Sequence, residues 1–99
     1  MDAPTFEWDP VKAAANVAKH GVSFEEAATA FQDPLARIHA DPHYSASESR
    51  EILIGHSAQG RLILVAFTDR QQGRLRLISA REVTRRERRE YEESQQDGS

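Results

Sequence analysis

The order of apolar and polar residues divides the chain into short elements. Thr5-Phe6-Glu7-Trp8 alternates with the period of a short strand. Asp9-Pro10 then opens a helix, because an Asp side chain accepts from the first unpaired amides and Pro loses nothing at the first helical position. That helix is expected through Val11 to Lys19 or His20. Ala13, Ala14, Val17 and Ala18 form its apolar stripe and Gly21 closes it. Ser23 with Glu26 reads as the capping box of a second helix, whose apolar positions are Phe24, Ala27, Ala28 and Phe31. Asp33-Pro34 stops it, so the two helices form a hairpin.

From there the period shortens. Leu35 to Ala40 predicts a strand, and Asp41 to Ser49 is a polar, exposed loop. Glu51 to His56 is a strand and Ala58-Gln59-Gly60 turns it. Arg61 to Thr68 is the most apolar strand and belongs in the middle of the sheet; Arg74 to Val83 is the last. Thr84 with Glu87 is a second capping box, opening a helix to about Glu93. The polar tail from Ser94 is expected to be disordered. The pattern predicts one α+β domain over residues 1–99. It has an N-terminal helix pair, an antiparallel sheet of three to four main strands and a C-terminal helix.

A two-residue turn at Gln71-Gln72 pairs Arg70 with Gly73, which puts Leu62 opposite Arg81 and Arg61 opposite Glu82. One end of the sheet then gathers His56, Ser57, Arg61, Arg81 and the helix start at Thr84-Arg85. Arg81 falls on the side of Leu75 and Leu77, ending an apolar row with a charge. Arg70 falls at the opposite end, about 26 Å from the level of Arg81 at strand rise.

Composition narrows the chemistry. The chain has 99 residues, 38% of them hydrophobic, enough for one modest core. Cysteine is absent, so disulfides, thiolate metal sites and cysteine nucleophiles are excluded. No apolar run is long enough to span a bilayer, and the acidic, aromatic start is unlike a signal peptide; the expected location is the cytoplasm, without membrane contact. The net charge of −3 argues against nucleic acid, but its distribution argues the other way. Residues 61–89 carry nine Arg against Asp69, Glu82 and Glu87. Arg forks match phosphate oxygens two at a time.

At this point the chain resembles a known family. Phe6-Glu7-Trp8-Asp9, Lys12, Asn16, Lys19-His20-Gly21-Val22-Ser23-Phe24-Glu25-Glu26-Ala27 and Asp33-Pro34 match the opening of the BrnT toxins. Glu48, Arg50, Gly55-His56-Ser57, Gly60-Arg61, Thr68-Asp69-Arg70, Ile78-Ser79-Ala80-Arg81, Thr84, Glu87-Arg88 and Tyr91 continue the resemblance in order, over roughly residues 6 to 92. It implies the toxin half of a type II toxin–antitoxin pair with a RelE-like fold. It also implies RNA cleavage that halts translation, and a BrnA-like antitoxin with a ribbon-helix-helix DNA-binding part. Operator DNA would be met only through that antitoxin, when the pair represses its own operon.

RNA can be cut without a metal or other cofactor when the substrate's 2′-hydroxyl is the nucleophile. The protein then supplies a base, an acid and cations around the phosphorane. Arg81 and Arg61 are the candidate catalytic cations, and His20 the candidate acid–base group, since His titrates near neutrality. Lys19, Arg70, Arg85 and Tyr91 are candidate RNA contacts. Each has a plainer reading: Arg81 in an ion pair with Glu82 or Glu87, Arg61 in solvent, His20 complementing a helix end, and Tyr91 packing on the sheet. Asp41, His43 and Glu48 are spaced too loosely to argue for a metal. The alternative to a ribonuclease is a non-catalytic module that binds an acidic partner or nucleic acid.

Overall fold

The computed structural model describes residues 4–41 and 50–97. The polar segment 42–49, with His43 and Glu48, lies outside the described residues. The elements are β1 (Thr5–Glu7), α1 (Pro10–His20), α2 (Phe24–Thr29), a 3₁₀ turn (Ala30–Gln32), β2 (Arg37–Ala40), β3 (Arg50–His56), β4 (Leu62–Gln71), β5 (Arg74–Glu82) and α3 (Arg85–Asp97). Strand order is β1-β5-β4-β3-β2, with β4 central as its apolar run predicts. The strands from β2 to β5 form an antiparallel meander, while β1 pairs parallel with β5 and sets Phe6 opposite Leu75. The sheet is therefore five-stranded and mixed, not purely antiparallel. Three residues of alternation cannot specify a direction. Aromatic packing can: Phe6 meets Phe31 edge-on at 5.0 Å, and Phe31 meets Phe67 at 5.0 Å.

One face of the sheet carries the core. Val22, Phe24, Ala27 and Ala30 pack on Leu53, Ile63, Val65, Phe67, Leu77 and Ala80. Phe24, wholly withdrawn from water with Trp8 edge-on at 5.9 Å, contributes roughly 1.5–3 kcal/mol.

α1 starts and stops as its caps predict: Asp9 accepts from the Val11 amide at 2.9 Å, and Gly21 closes the helix at φ 71°. Its inward face differs from the predicted stripe. Ala14, Val17 and Ala18 are exposed, and Asn16 is buried instead. The reason lies at the edge of β5. Beyond Arg76, β5 has no strand partner on that side among the described residues, and α1 runs along the gap. Asn16 Oδ1 accepts from the Ala80 amide at 3.1 Å, and Nδ2 donates to the Ala80 and Val22 carbonyls at 2.8 Å each. One side-chain amide thus replaces a strand neighbour, because buried backbone groups must be paired.

α2 is short, and its capping box is half formed: Ser23 Oγ accepts from the Glu26 amide at 3.0 Å, but the Glu26 carboxylate turns to Ser57 and Arg61. The box at α3 closes both ways, Thr84 N–H to Glu87 Oε1 at 2.9 Å and Glu87 N–H to Thr84 Oγ1 at 3.1 Å. α3 runs to Asp97, past the predicted end, because Ser94 Oγ bonds the Tyr91 carbonyl at 2.7 Å and Gln95 Nε2 bonds the Leu35 carbonyl at 3.1 Å.

The hairpin register also differs. The turn falls on Gln72-Gly73, with Gln72 at φ 55° and Gly73 at φ 78°, so Gln71 pairs with Arg74. Irregularities follow at Asp69/Gln71 and at Ala66/Phe67. Phe67 pairs with Leu77 but Val65 with Ala80, so β5 holds an extra residue at Ile78-Ser79. A β-bulge of this kind exchanges the two faces of a strand. Leu77 and Ala80 therefore both point to the core, and Arg81, opposite Leu64, points to the other face. That overturns the expectation that Arg81 shares its side with Leu75 and Leu77. Leu62 and Arg61 likewise do not oppose Arg81 and Glu82; Leu64 and Ile63 do.

Candidate functional site

The second face of the sheet is where the charges gather. Register places Arg37 and His39 of β2, Arg50, Ile52, Ile54 and His56 of β3, Leu62, Leu64, Ala66 and Thr68 of β4, and Arg76, Ser79 and Arg81 of β5 on it. α3 crosses one end: Tyr91 stacks edge-on against His56 at 5.7 Å, and Glu87 reaches Arg81. Beside the helix lies a trough of about 500 Å³, walled by His39, Asp41, Arg50, Ile54, Ser79, Arg81, Glu87 and Glu90, with Ala66 and Leu64 beneath.

Arg81 is set in this wall by a bidentate pair with Glu87, Nη1–Oε1 at 2.8 Å and Nη2–Oε2 at 2.9 Å, and by a bond from Nη1 to the Glu82 carbonyl at 3.2 Å. The same carboxylate caps α3, so strand end and helix start are locked together. The Arg81 hydrogen bonds, aided by the Thr84 amide, outweigh burial and hold the Glu87 carboxyl at about 2. The Arg81 Nε–H and one Nη2–H keep no protein partner among the described residues, which leaves two donors on this lining residue of the trough.

Arg61 is at the same end of the sheet but on the opposite face. It grips both oxygens of the buried Glu26, reaches Glu82 Oε2 at 3.2 Å, and donates to the Gly21 carbonyl at 3.0 Å. Glu26 also accepts from Ser57 Oγ at 2.7 Å. The Arg61 hydrogen bonds, against the opposing pull of burial, keep the Glu26 carboxyl below its ordinary value. This network ties α2 to the β3–β4 turn, and Arg61 is not in the trough.

His20 and Lys19, at the end of α1, line a smaller hollow of about 220 Å³ with Lys12, Asn16, Ile78 and Ser79. Ser79 also lines the trough, so the bulge separates His20 from Arg81. Arg70 borders a third cavity with Lys12, Arg50, Thr68, Arg76 and Ile78, and Arg50 is common to that cavity and the trough. Six residues of β4 separate Arg70 from Leu64, the partner of Arg81, or about 20 Å at strand rise. Arg85 is exposed at the first position of α3.

Tyr91 is buried on the far side of α3, its hydroxyl 3.3 Å from the Leu35 carbonyl oxygen and 3.5 Å from Asp33 Oδ2. Burial, with the Asp33 charge, raises its hydroxyl above the usual tyrosine range. Asp33 in turn accepts from the His56 amide at 2.7 Å, meets His56 Nδ1 at 3.2 Å, and accepts from the Leu35 amide at 2.9 Å. Burial opposes ionisation there, but these hydrogen bonds prevail and keep Asp33 below its ordinary value. Gly55 makes the approach possible, since a Cβ there would stand 2.9 Å from Ala36 Cβ and 3.2 Å from the Ala30 carbonyl oxygen. Asp33, Gly55, His56, Ser57, Arg61 and Tyr91 thus hold elements together.

Sequence reasoning singled out neither Lys12 nor Arg50, Thr68 and Arg76 as site residues. The signal was available: Lys12, Asn16 and Lys19 fall on one helical stripe, and Arg74-Leu75-Arg76 alternates charge with a core residue. Among the described residues, no three His, Asp or Glu side chains gather as metal ligands.

Comparison with known proteins decides the family. The family model described as the ribonuclease toxin BrnT of type II toxin–antitoxin systems matches residues 8–87. The chain belongs to the BrnT family. The crystal structure of the Brucella abortus ribonuclease toxin BrnT is similar at 26% identity, covering 84% of this chain and 100% of that one, with a TM-score of 0.66. A search of curated proteins returned no match.

Proposed function

We propose that this BrnT chain cuts RNA at the trough without a metal, by attack of the 2′-hydroxyl on the adjacent phosphorus. The family match over residues 8–87 carries the reading. It is supported by the placement of Arg81, Arg50 and Ser79 around one open trough on an otherwise acidic chain. In the reaction the 2′-oxygen bonds to phosphorus and the bond to the 5′-oxygen breaks, leaving a 2′,3′-cyclic phosphate and a 5′-hydroxyl. One group takes the 2′-hydroxyl proton and one delivers a proton to the leaving oxygen. Arg81, oriented by Glu87, directs its remaining N–H donors at the phosphorane, where fixed donors act most strongly. His20, beside Ser79, is the proton carrier. Lys19, Arg70 and Arg85 hold the RNA strand. Arg61 holds the protein instead of the phosphate, and Tyr91 seats α3.

The same reading extends to the cell. Cleavage halts translation in the cytoplasm, and a BrnA-like antitoxin with a ribbon-helix-helix part neutralises the toxin and joins it in repressing their operon. Among the described residues no helix is long and apolar enough to cross a membrane. The outer ridge of α1, with Val11 76% and Val17 48% exposed, offers the antitoxin an apolar surface.

Incubation of the purified protein with end-labelled RNA, with and without a chelator, tests the reading. We expect fragments ending in a cyclic phosphate, unaffected by chelator and absent when the 2′-oxygens are methylated. Intact RNA would leave a non-catalytic binding module, and loss of cleavage in chelator would overturn the metal-free chemistry.

A further inference from the structure

The cavity bordered by Lys12, Arg50, Arg70 and Arg76 is separate from the position of Arg81. It measures about 400 Å³, and among the described residues no carboxylate lines it. Its floor is a cross-strand row: Arg50 pairs with Thr68, and Thr68 with Arg76. Lys12 enters from α1, which Asn16 pins to the sheet edge, and Arg70 enters where the β4–β5 ladder is irregular. Arg76 also meets Glu7 at 3.3 Å, an ion pair in which both side chains keep about a third of their surface in water. Cations brought this close repel one another, and a fold retains such a cluster most readily where an anion is bound.

A second observation points the same way. Thr68 is only 5% exposed, yet its Oγ1 has no hydrogen-bond partner among the described residues. A buried hydroxyl left unpaired is unfavourable, and native structures rarely keep one without use. An oxyanion beside it would accept from it while being surrounded by the four cations.

We propose that this cavity is a phosphate subsite for the RNA backbone, which grips a phosphate other than the one at Arg81. The assignment rests on the ribonuclease reading for the kind of ligand. Four residues of β4 separate Thr68 from Leu64, the partner of Arg81, or about 13 Å at strand rise, too far for one phosphate to touch both. Arg50 borders both hollows, so a strand lying along the sheet face passes from one to the other. The subsite therefore sets where along the strand the scissile bond falls, and very short RNAs that cannot reach it are poor substrates.

The test uses the full chain and a short 2′-O-methyl RNA oligonucleotide, which binds but cannot be cut. Binding is followed by fluorescence anisotropy over a range of salt. Lys12→Gln and Arg70→Gln are each expected to weaken binding about tenfold. Each should also flatten the slope of log K against log salt by about 0.7. Arg89→Gln, the same charge change on an exposed helix position, is expected to leave both within about twofold of wild type. Equal effects from all three substitutions would overturn the subsite in favour of general attraction. Thr68→Val adds a readout that a purely structural role would not give: thermal stability rises as the unpaired hydroxyl is removed, while oligonucleotide affinity falls. A stabilised Thr68→Val protein that binds as tightly as wild type would also overturn it. Failure of the two readings is separable. Wild type that cleaves RNA while Lys12→Gln and Arg70→Gln bind normally removes the subsite alone. Wild type that binds through the cavity yet leaves unmodified RNA intact keeps the subsite and removes the ribonuclease.

Discussion

On the proposed mechanism, replacing Arg81 with Ala removes one side chain that serves both stability and catalysis, and the two losses have different signatures. The Glu87 carboxyl is held at about 2 against an ordinary 4.5, which corresponds to at most roughly 3 kcal/mol of folding stability. Part of that comes from the Thr84 amide and survives the substitution. Arg81 also keeps 37% of its side chain in water, which screens the pair. The expected loss at neutral pH is therefore about 1–2 kcal/mol, or roughly 5–10 °C in Tm for a domain of this size. The sign follows from the direction of the shift. Glu87 stabilises the folded state above its unfolded value of 4.5, and the contribution disappears as pH falls towards 2. Wild type and Arg81→Ala should thus differ most near neutrality and converge in acid, in urea titrations read by the fluorescence of Trp8. Cleavage should fall by about two to three orders of magnitude, the effect of removing one preorganised donor. A folded Arg81→Ala protein that cuts RNA at the wild-type rate would refute the role of Arg81 at the phosphate. A stability difference that persists unchanged down to pH 2 would refute the ion pair as its cause.

Further substitutions probe the supports of the site. Asn16→Ala leaves the Ala80 amide and the Ala80 and Val22 carbonyls without their side-chain partner, and should cost about 3 kcal/mol by urea unfolding; a cost below about 0.5 kcal/mol would remove Asn16 as the link between α1 and β5. Gly55→Ala drives a methyl to 2.9 Å from Ala36 Cβ and should cost about 1–3 kcal/mol, seen as a lower urea midpoint with an unchanged m-value. Val17→Asp changes an exposed residue on the outer ridge of α1. It should leave Tm and RNA cleavage unaltered but weaken antitoxin binding at least roughly tenfold in a titration; unchanged affinity would move the antitoxin to another surface.

The helix caps show how far local information reaches. Asp9, Gly21, Ser23 and Thr84 each act within four residues of where they stand, and each does in the structure what its type predicts. Glu26 shows where that reach ends. Three residues after Ser23 it has the spacing of a capping partner, but a guanidinium thirty-five residues away forms the stronger pair. The same competition withdrew Arg61 from the candidate site. The stripe of Ala13, Ala14, Val17 and Ala18 misled for a related reason: helical periodicity ranks apolar residues inward, whereas the edge of β5 makes a buried Asn16 amide the favourable choice.

The sequence by itself determined the α+β class, the helix pair, the central strand, the arginine-rich second half and the resemblance to the BrnT toxins. All of these rest on residue type, local spacing or ordered motifs. Only the tertiary structure decided which charges share a surface. The extra residue at Ile78-Ser79 carried Arg81 from the core side of the sheet to the trough, while the cross-strand pairing of Arg50, Thr68 and Arg76 and the docking of α1 brought Lys12, Arg50, Arg70 and Arg76 together. Side chains in a strand alternate with a period of two, so one residue inserted into a ladder reverses every assignment beyond it. No local pattern announces that insertion; it arises where Leu77 and Ala80 must both enter the same core.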